Sequence, residues 1–366
     1  MRLASFVLAA SLAVGVTYVS ITLKPRFDSR AETIANQFAL LDGEPLHIGG
    51  GPPVQMEPFR NRVLFPALLR GASRLGGLST EDWYLFLRLG TAFGAFLAFY
   101  GGARSLGASE RVGAAASLLL AFALVPTFNH SSEHPTDFLD VAVFALAVPL
   151  VLRRRLAAVA VLGLVAAANR ESAAFLGVLW AGVHAVPFGP GWAGTGRWRD
   201  LTGRSVAWRD VALGAALAAS SYAAVLALRV VFGGAGMADA ASQTFAPLGQ
   251  LQVALRYALD HPSPFSWIGL GLAMGALPVM WLASNRRSLD GVARRLLALS
   301  GALAVPTLLF GHLDELRVFI PSLVLLLYAA ARGEAAASGA PPVLSGGPAP
   351  EAAVRAGGGR APVPAG

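Results

Sequence analysis

The sequence predicts an all-α, polytopic transmembrane helical bundle from three observations: an apolar composition, apolar runs of helical length, and basic residues gathered between those runs. Of the 366 residues, 55% are hydrophobic and 14% are charged, whereas an ordinary soluble domain has about 25% charged residues. The absence of cysteine excludes disulfides, thiolate metal sites and cysteine nucleophiles. The net charge of +8 comes from short basic clusters between apolar runs, so nucleic acid is not an indicated partner.

Ten apolar runs approach the length of a membrane helix, which needs about 20 residues. They are residues 3–23, 82–103, 111–128, 137–152, 155–168, 172–187, 208–232, 264–284, 292–311 and 316–332. The sequence therefore predicts about ten spans, some of them short. The first run follows Met1-Arg2 as a signal peptide would, but it lacks a small-x-small cleavage site, so we interpret it as a retained span.

Basic residues between the runs predict the orientation of the chain, because short cytoplasmic loops of membrane proteins are enriched in Lys and Arg. With the N-terminus inside, the inner segments carry fifteen basic and five acidic residues, including Arg153-Arg154-Arg155. Residues 24–81 then form the first outer loop, where six acidic residues offset seven basic ones. We therefore expect a multi-pass protein of the cell inner (plasma) membrane with both termini cytoplasmic.

The chain divides into a transmembrane helical domain and a tail. Residues 1–335 contain the apolar runs and the first outer loop. After Arg332 the chain consists mostly of Ala, Gly and Pro, a composition that cannot bury a core. Residues 336–366 are therefore predicted to form a disordered cytoplasmic tail.

Polar residues gather in five clusters that this topology places on the non-cytoplasmic side. The clusters are residues 27–32, 57–62, 129–137, 169–171 and 311–317. The run from Leu156 to Ala168 rises only about 20 Å at 1.5 Å per residue, short of a hydrocarbon core of about 30 Å. Arg170 and Glu171 are therefore expected below the outer interface, where charged groups usually face a partner or a wet cavity. Either they form a structural Arg–Glu pair, or they line the floor of a cavity.

Two of these clusters allow competing interpretations. His130-Ser131-Ser132-Glu133-His134 matches the H-x-x-E-H zinc pattern, but Pro135 follows at once and the composition is that of a loop. These features favour an outer loop whose polar groups bind substrate or each other over a zinc site. Asp314 and Glu315 can also serve simply as N-terminal residues of a helix. Asp137 and Asp140 share one helical face, and Asp140 lies inside an apolar run, so it needs water or a partner.

Four segments resemble the GT-C superfamily of polytopic membrane glycosyltransferases, and most closely uncharacterised bacterial integral membrane proteins related to it. They are Asp28 after the first run, Pro58-Phe59-Arg60-Asn61-Arg62-Val63-Leu64-Phe65-Pro66, Ala168-Asn169-Arg170-Glu171-Ser172-Ala173, and Glu315-Leu316-Arg317-Val318-Phe319-Ile320-Pro321. The resemblance covers about residues 1–332. It implies a GT-C-like fold with amphipathic helices in the first outer loop, and the presence of Ser29-Arg30 after Asp28 departs from the paired acids of many such enzymes.

The resemblance implies transfer of a sugar from a polyprenyl-phosphate donor on the non-cytoplasmic face, within the lipid bilayer. Enzymes of this type use a first-loop acid as base or metal ligand, which makes Asp28 the catalytic candidate and a divalent metal ion a candidate cofactor. No metal ligands are assigned. Outer-face arginines would bind the phosphate, because guanidinium matches phosphate oxygens bidentately. The substrate-binding candidates are Arg60, Arg62, Glu133, His134, Asp137, Asn169, Arg170, Glu171, His312, Glu315 and Arg317.

Two other functions compete with the transferase. Charged groups at depth and broken helices also occur in transporters and flippases of lipid-linked or anionic substrates, although no pairing of two related halves is visible in the sequence. A non-catalytic membrane scaffold is favoured if Arg170 and Glu171 merely pair with each other.

Overall fold

The computed structural model describes residues 3–22, 30–46, 62–127, 136–185, 206–233, 276–310 and 319–339, and this part of the chain is all-helical. Its elements are α1 Leu3–Thr22, α2 Arg30–Asp42, α3 Leu64–Leu75, α4 Thr80–Ser105, α5 Glu110–Thr127, α6 Thr136–Leu152, α7 Leu156–Ala167, a 3-10 turn Glu171–Ala174, α8 Phe175–His184, α9 Trp208–Gly233, α10 Leu277–Ser284, α11 Gly291–Phe310 and α12 Ile320–Ala337.

Each of the ten predicted apolar runs contains a helix, and the run 264–284 is described only from residue 276 onwards. Within the described residues, three helices are long and apolar enough to cross a membrane by length and composition, namely α4, α9 and α12. Apolar helices also cover Leu3–Val19 and Leu156–Ala167, which are shorter. Helix α12 runs two residues into the predicted tail, because the sequence after Arg332 is rich in alanine, the strongest helix former. Residues 340–366 lie outside the described part.

Helix α12 lies at the centre of the described bundle, where it packs against α4, α5, α6, α10 and α11. Its Tyr328 is fully buried, stacks on Phe99 of α4, and donates to the carbonyls of Phe99 and Ala145 at 3.1 Å each. Gly102 of α4 leaves the space that this ring needs, since a Cβ there would overlap the Tyr328 hydroxyl. Tyr328 thus links α12 to α4 and α6 at one level of the core.

Helices α8 and α9 cross closely at two glycines. A Cβ on Gly177 would overlap the carbonyl oxygen of Gly214, and a Cβ on Gly214 would approach the carbonyl oxygen of Gly177 to 2.6 Å. Small residues at a crossing let two backbones approach, as in membrane helix pairs. This crossing fixes how α9 lies beside the segment between α7 and α8.

Helices α2 and α3 form a small layer beside the start of α4. Phe65 and Leu69 of α3 are fully buried against Tyr84 of α4. Arg70 binds Asp42 at the end of α2 through two hydrogen bonds of 2.7 and 2.6 Å. Two helices are therefore present where amphipathic helices of the first outer loop were expected, and α3 is the strongly amphipathic one.

One end of the bundle is closed by a set of polar contacts around the Arg153–Arg155 turn and the end of α12. Arg332 is buried and donates to Asp290 at 2.7 Å and to the carbonyl of Leu106 at 2.9 Å. Arg154 pairs with Asp210 at 3.3 Å near the start of α9. We call this the arginine-turn end, and the opposite end carries the candidate site.

Candidate functional site

A break in the helical path after α7 positions the polar residues of the site. Helix α7 has only 12 residues and ends at Ala167, after which Arg170 has an extended backbone with φ −163° and ψ 156°. A 3-10 turn from Glu171 then leads into α8. The carbonyl of Ala168 accepts a hydrogen bond of 2.9 Å from the amide of Leu64 at the start of α3. The break is thus joined to the α2–α3 layer through the backbone.

Arg170 lies between two aspartates of α6. Its Nη2 donates to Asp137 Oδ1 and its Nη1 to Asp140 Oδ2, both at 2.9 Å. Their side chains are almost completely buried, with 5% of Arg170 and 1% of each aspartate exposed. The two aspartates can share one guanidinium because residues three apart lie on the same face of a helix. The extended backbone after α7 points Arg170 at that face.

Asn169 and Ser172 complete the surroundings of Asp140. The Nδ2 group of Asn169 donates to Asp140 Oδ1 and to the carbonyl of Thr136, both at 3.0 Å. Both partners are pure acceptors, which fixes the orientation of the amide. The hydroxyl of Ser172 donates to the same carboxylate at 3.2 Å. Asp140 is therefore held by three side chains from one short segment.

Glu171 points to different partners from those of Arg170. Its Oε1 accepts a hydrogen bond of 2.6 Å from Nη2 of Arg229, near the end of α9. Its Oε2 lies 3.9 Å from Nη2 of Arg62, just before α3. The Glu171 side chain is 32% exposed, whereas those of Arg62 and Arg229 are 12% and 13% exposed. Glu171 is therefore the most exposed of the charged side chains of the site.

Within the described part of the chain, the site brings together three cations, Arg62, Arg170 and Arg229, and three anions, Asp137, Asp140 and Glu171. The guanidinium groups beside Glu171 are of the kind that binds anionic ligands, since guanidinium is the usual partner of carboxylate and phosphate oxygens.

The structure brings five of the predicted substrate-binding residues together: Arg62, Asp137, Asn169, Arg170 and Glu171. Arg170 and Glu171 each bind other partners, so the hydrogen bonds of the site are not those of an isolated Arg170–Glu171 pair. Both terminal nitrogens of Arg170 contact carboxylates, so binding a phosphate there requires one contact to open. Several predicted residues lie outside the described part: Asp28, Arg60, Glu133, His134, His312, Glu315 and Arg317.

Three residues of the cluster were not among the predicted site residues: Arg229, Asp140 and Ser172. Arg229 carries a signal in the sequence, since it is a charged residue inside the apolar run 208–232. Asp140 carries the same signal, and its need for a partner was expected without the partner being identified. Ser172 carries none, because a serine that opens a helix is common. Arg88 of α4 is a further buried arginine, and it too is a charged residue inside an apolar run, 82–103.

A divalent metal is the cofactor that the resemblance implies, and the described residues do not fit one. No group of three or more His, Asp or Glu side chains within the described ranges could hold a metal ion. Asp137 and Asp140 already bind Arg170 through one oxygen each. Asp28, which the resemblance makes a base or a metal ligand, lies outside these ranges.

Comparison with known proteins adds no relative: no family model, no curated protein and no solved structure matches the chain.

Proposed function

We propose that the protein is an integral membrane glycosyltransferase that takes a sugar from a polyprenyl-phosphate donor on the non-cytoplasmic face of the membrane. One observation carries the proposal: two arginines from distant segments converge on the partly exposed Glu171 at a break in the helical path. Charged groups inside apolar helices are costly and usually serve a ligand pathway or a partner. A lipid-linked phosphate is an anionic ligand that reaches such a depth within the bilayer.

The length of α9 supports a membrane-spanning placement of the site. Asp210 and Arg229 are nineteen residues apart in this helix, which corresponds to about 28 Å at 1.5 Å per residue, close to the hydrocarbon thickness of about 30 Å. Side chains of a helix lean towards its N-terminus, so Arg229 reaches back into the bundle towards Glu171. In a multi-pass arrangement of about ten spans, the arginine-turn end lies at the cytoplasmic side and Glu171 lies below the outer interface.

The chemistry of transfer needs a base and a stabilised leaving group. In the proposed reaction the carboxylate of Asp28 accepts the proton of an acceptor hydroxyl, whose oxygen forms a bond to C1 of the sugar. The bond between C1 and the phosphate oxygen breaks, and its electron pair remains on the phosphate. Guanidinium groups of Arg62 and Arg229 stabilise that charge. Arg170 holds the helix break in place and does not contact the lipid.

The charge balance favours one competing function, a non-catalytic membrane scaffold. A network of three cations and three anions can serve only to fasten α3, α6 and α9 to the segment between α7 and α8. The 32% exposure of Glu171 argues against this alternative, because a fastening network gains most when water is excluded from all of its members.

A turnover assay separates these functions. The full-length protein in nanodiscs is supplied with polyprenyl-phosphate sugars and a hydroxyl acceptor, and release of polyprenyl phosphate is measured. We expect turnover by the wild type and a loss of at least about a hundredfold in Asp28→Asn, the usual contribution of a general base being about 10² to 10⁴. Wild-type turnover in a normally expressed Asp28→Asn variant would remove Asp28 from the mechanism. A wild type that neither binds nor consumes any such lipid would favour the scaffold or transporter.

A further inference from the structure

We infer that the arginine-turn end binds the headgroup of an anionic phospholipid, at a surface formed by Arg153, Arg155 and Arg209 beside Trp208. The inference goes beyond the proposed function, because it concerns the opposite end of the bundle and needs no sugar donor. Its evidence is the position, the exposure and the contacts of these side chains within the described part of the chain.

The turn between α6 and α7 presents consecutive arginines at the surface. Helix α6 ends at Leu152 and α7 begins at Leu156, so three arginines make up the whole connection: Arg153, Arg154 and Arg155. All three are exposed. Arg154 has a positive φ of 54°, which is uncommon for a residue other than glycine. The chain thus reverses direction within three residues and gathers three guanidinium groups at one end of the helix pair.

The start of α9 adds a fourth arginine and a tryptophan at the same place. Arg154 Nη1 pairs with Asp210 Oδ1 at 3.3 Å, which joins the turn to the first residues of α9. Trp208 and Arg209 precede Asp210 in the chain, Trp208 is 74% exposed, and Arg209 is exposed as well. The two segments therefore form one surface, which we call the basic patch and which consists of Arg153, Arg154, Arg155, Trp208 and Arg209.

Most arginines of the basic patch are available to a ligand. Asp210 is buried and already binds Arg154. Within the described ranges, the side chains of Arg153, Arg155 and Arg209 make no ion pair or hydrogen bond. The segment 186–205, which lies outside those ranges, contains three arginines and one aspartate, so its composition has the same sign. Exposed cations gathered in this way attract an anionic surface over about 8 Å at physiological ionic strength.

An exposed apolar face continues from the basic patch along α7. Beyond Arg155, the side chains of Val161 and Leu164 are each more than half exposed. Tryptophan is enriched at membrane–water interfaces, because its ring is apolar and its N–H group is polar. A phospholipid has the same order of groups, with a charged headgroup followed by apolar chains. The surface therefore fits a lipid better than it fits a soluble anion.

The arginines select the charge of the headgroup. Guanidinium groups bind the oxygens of a phosphate diester bidentately. In a zwitterionic headgroup an ammonium group cancels the charge of the phosphate, whereas phosphatidylglycerol keeps one negative charge. Basic residues beside a membrane are attracted to such anionic lipids. We therefore expect phosphatidylglycerol to bind in preference to phosphatidylcholine.

The inference is tested by lipid binding to the purified full-length protein in detergent. Phosphatidylglycerol and phosphatidylcholine with identical acyl chains are titrated separately, and bound lipids are counted by native mass spectrometry. Arg153→Gln, Arg155→Gln and Arg209→Gln should each weaken binding of phosphatidylglycerol about fivefold, the effect of one basic residue beside an anionic surface, and together about a hundredfold. The triple lysine variant keeps the charges and should retain most of the affinity. Added salt should reduce the preference.

Arg74→Gln is the matched control, because Arg74 is an exposed arginine in the last turn of α3, outside the basic patch. It should bind phosphatidylglycerol as the wild type does. The triple glutamine variant should unfold at the wild-type temperature, since its replaced side chains make no contacts of this kind in the described ranges. An undiminished preference for phosphatidylglycerol in that variant, or an equal loss in Arg74→Gln, would overturn the inference.

A second measurement locates the lipid without changing any arginine. The protein is reconstituted in phosphatidylcholine vesicles that contain a small fraction of brominated phosphatidylglycerol or brominated phosphatidylcholine, and tryptophan fluorescence is recorded. Quenching by brominated phosphatidylglycerol should exceed quenching by brominated phosphatidylcholine, and the excess should fall in Trp208→Phe. An undiminished excess in Trp208→Phe would refute the position beside Trp208. Neither experiment uses a polyprenyl donor, so both outcomes are independent of the transferase.

Discussion

Substitution of Arg170 by methionine gives the sharpest test of how the site is built. Methionine keeps most of the side-chain volume and removes the charge, which leaves Asp137 and Asp140 buried together with no guanidinium between them. Two carboxylates in one buried site cannot both remain ionised without a large cost. We therefore expect Arg170→Met to destabilise the junction between α6 and the helix break.

The structure sets the size of this effect. Arg170 donates two charge-assisted hydrogen bonds of 2.9 Å, and each such bond contributes about 1.5 to 3 kcal/mol. Removing one partner of a buried ion pair costs about 3 to 5 kcal/mol in other proteins. The free energy expected from the two hydrogen bonds therefore agrees with the cost of breaking a buried ion pair. At roughly 1.3 °C per kcal/mol for a chain of this size, a loss of about 3 to 5 kcal/mol should lower the unfolding temperature by about 4 to 7 °C.

The assay is the apparent unfolding temperature of the detergent-solubilised protein, followed by tryptophan fluorescence at one heating rate. Arg153→Met is the matched control, because Arg153 is exposed at the opposite end of the bundle. The triple variant Arg170→Met, Asp137→Asn, Asp140→Asn removes the uncompensated acids and should recover part of the loss. An Arg170→Met protein that unfolds within about 1 °C of the control would refute a buried, stabilising role for this arginine.

Two further predictions concern the core and the α2–α3 layer. Gly102→Ala should destabilise the protein by about 1 to 3 kcal/mol, because the added methyl overlaps the Tyr328 hydroxyl. Combining it with Tyr328→Phe should cost less than the sum of the two single changes, measured by a thermal double-mutant cycle. The hydrogen bonds from Arg70 lower the pKa of Asp42 below its ordinary value of 3.8. The contact between α2 and α3 should therefore be complete above about pH 4 and weaken as the pH falls through the lowered pKa of Asp42. Pepsin cleavage within α2 should then rise in acid for the wild type, and in Asp42→Asn it should be independent of this titration.

The order of the helices could be predicted from the sequence, because apolar runs report helix formation directly. All ten runs contain helices. The shortness of the run from Leu156 to Ala168 predicted that Arg170 and Glu171 lie below the outer interface, and that depth stays a prediction. The membrane topology beyond three candidate spans remains a prediction, since helix length and composition alone identify only α4, α9 and α12 within the described residues.

The partners of the site could be predicted only in part, because periodicity shows which residues share a face but not which helices meet. The spacing of Asp137 and Asp140 placed them together and left their cation open. Arg229 lies 58 residues from Glu171 in the chain, and its approach depends on the close crossing of α8 and α9 at Gly177 and Gly214. No local pattern encodes that crossing, since isolated glycines in apolar helices are common.

The two halves of the cluster differ in what they can do, and the difference follows from burial. A charge pair withdrawn from water is costly to separate, so the Arg170 half resists exchange with any ligand. The Glu171 half is more exposed, so separating its charges costs less. If Arg170 were the ligand site, Arg170→Met would abolish phosphate binding in protein that is still folded. If it is a positioning residue, binding by the folded fraction should weaken moderately and recover in the triple variant that restores the junction. The ratio of these affinities, measured at a temperature where all variants are folded, decides between a direct and an indirect role.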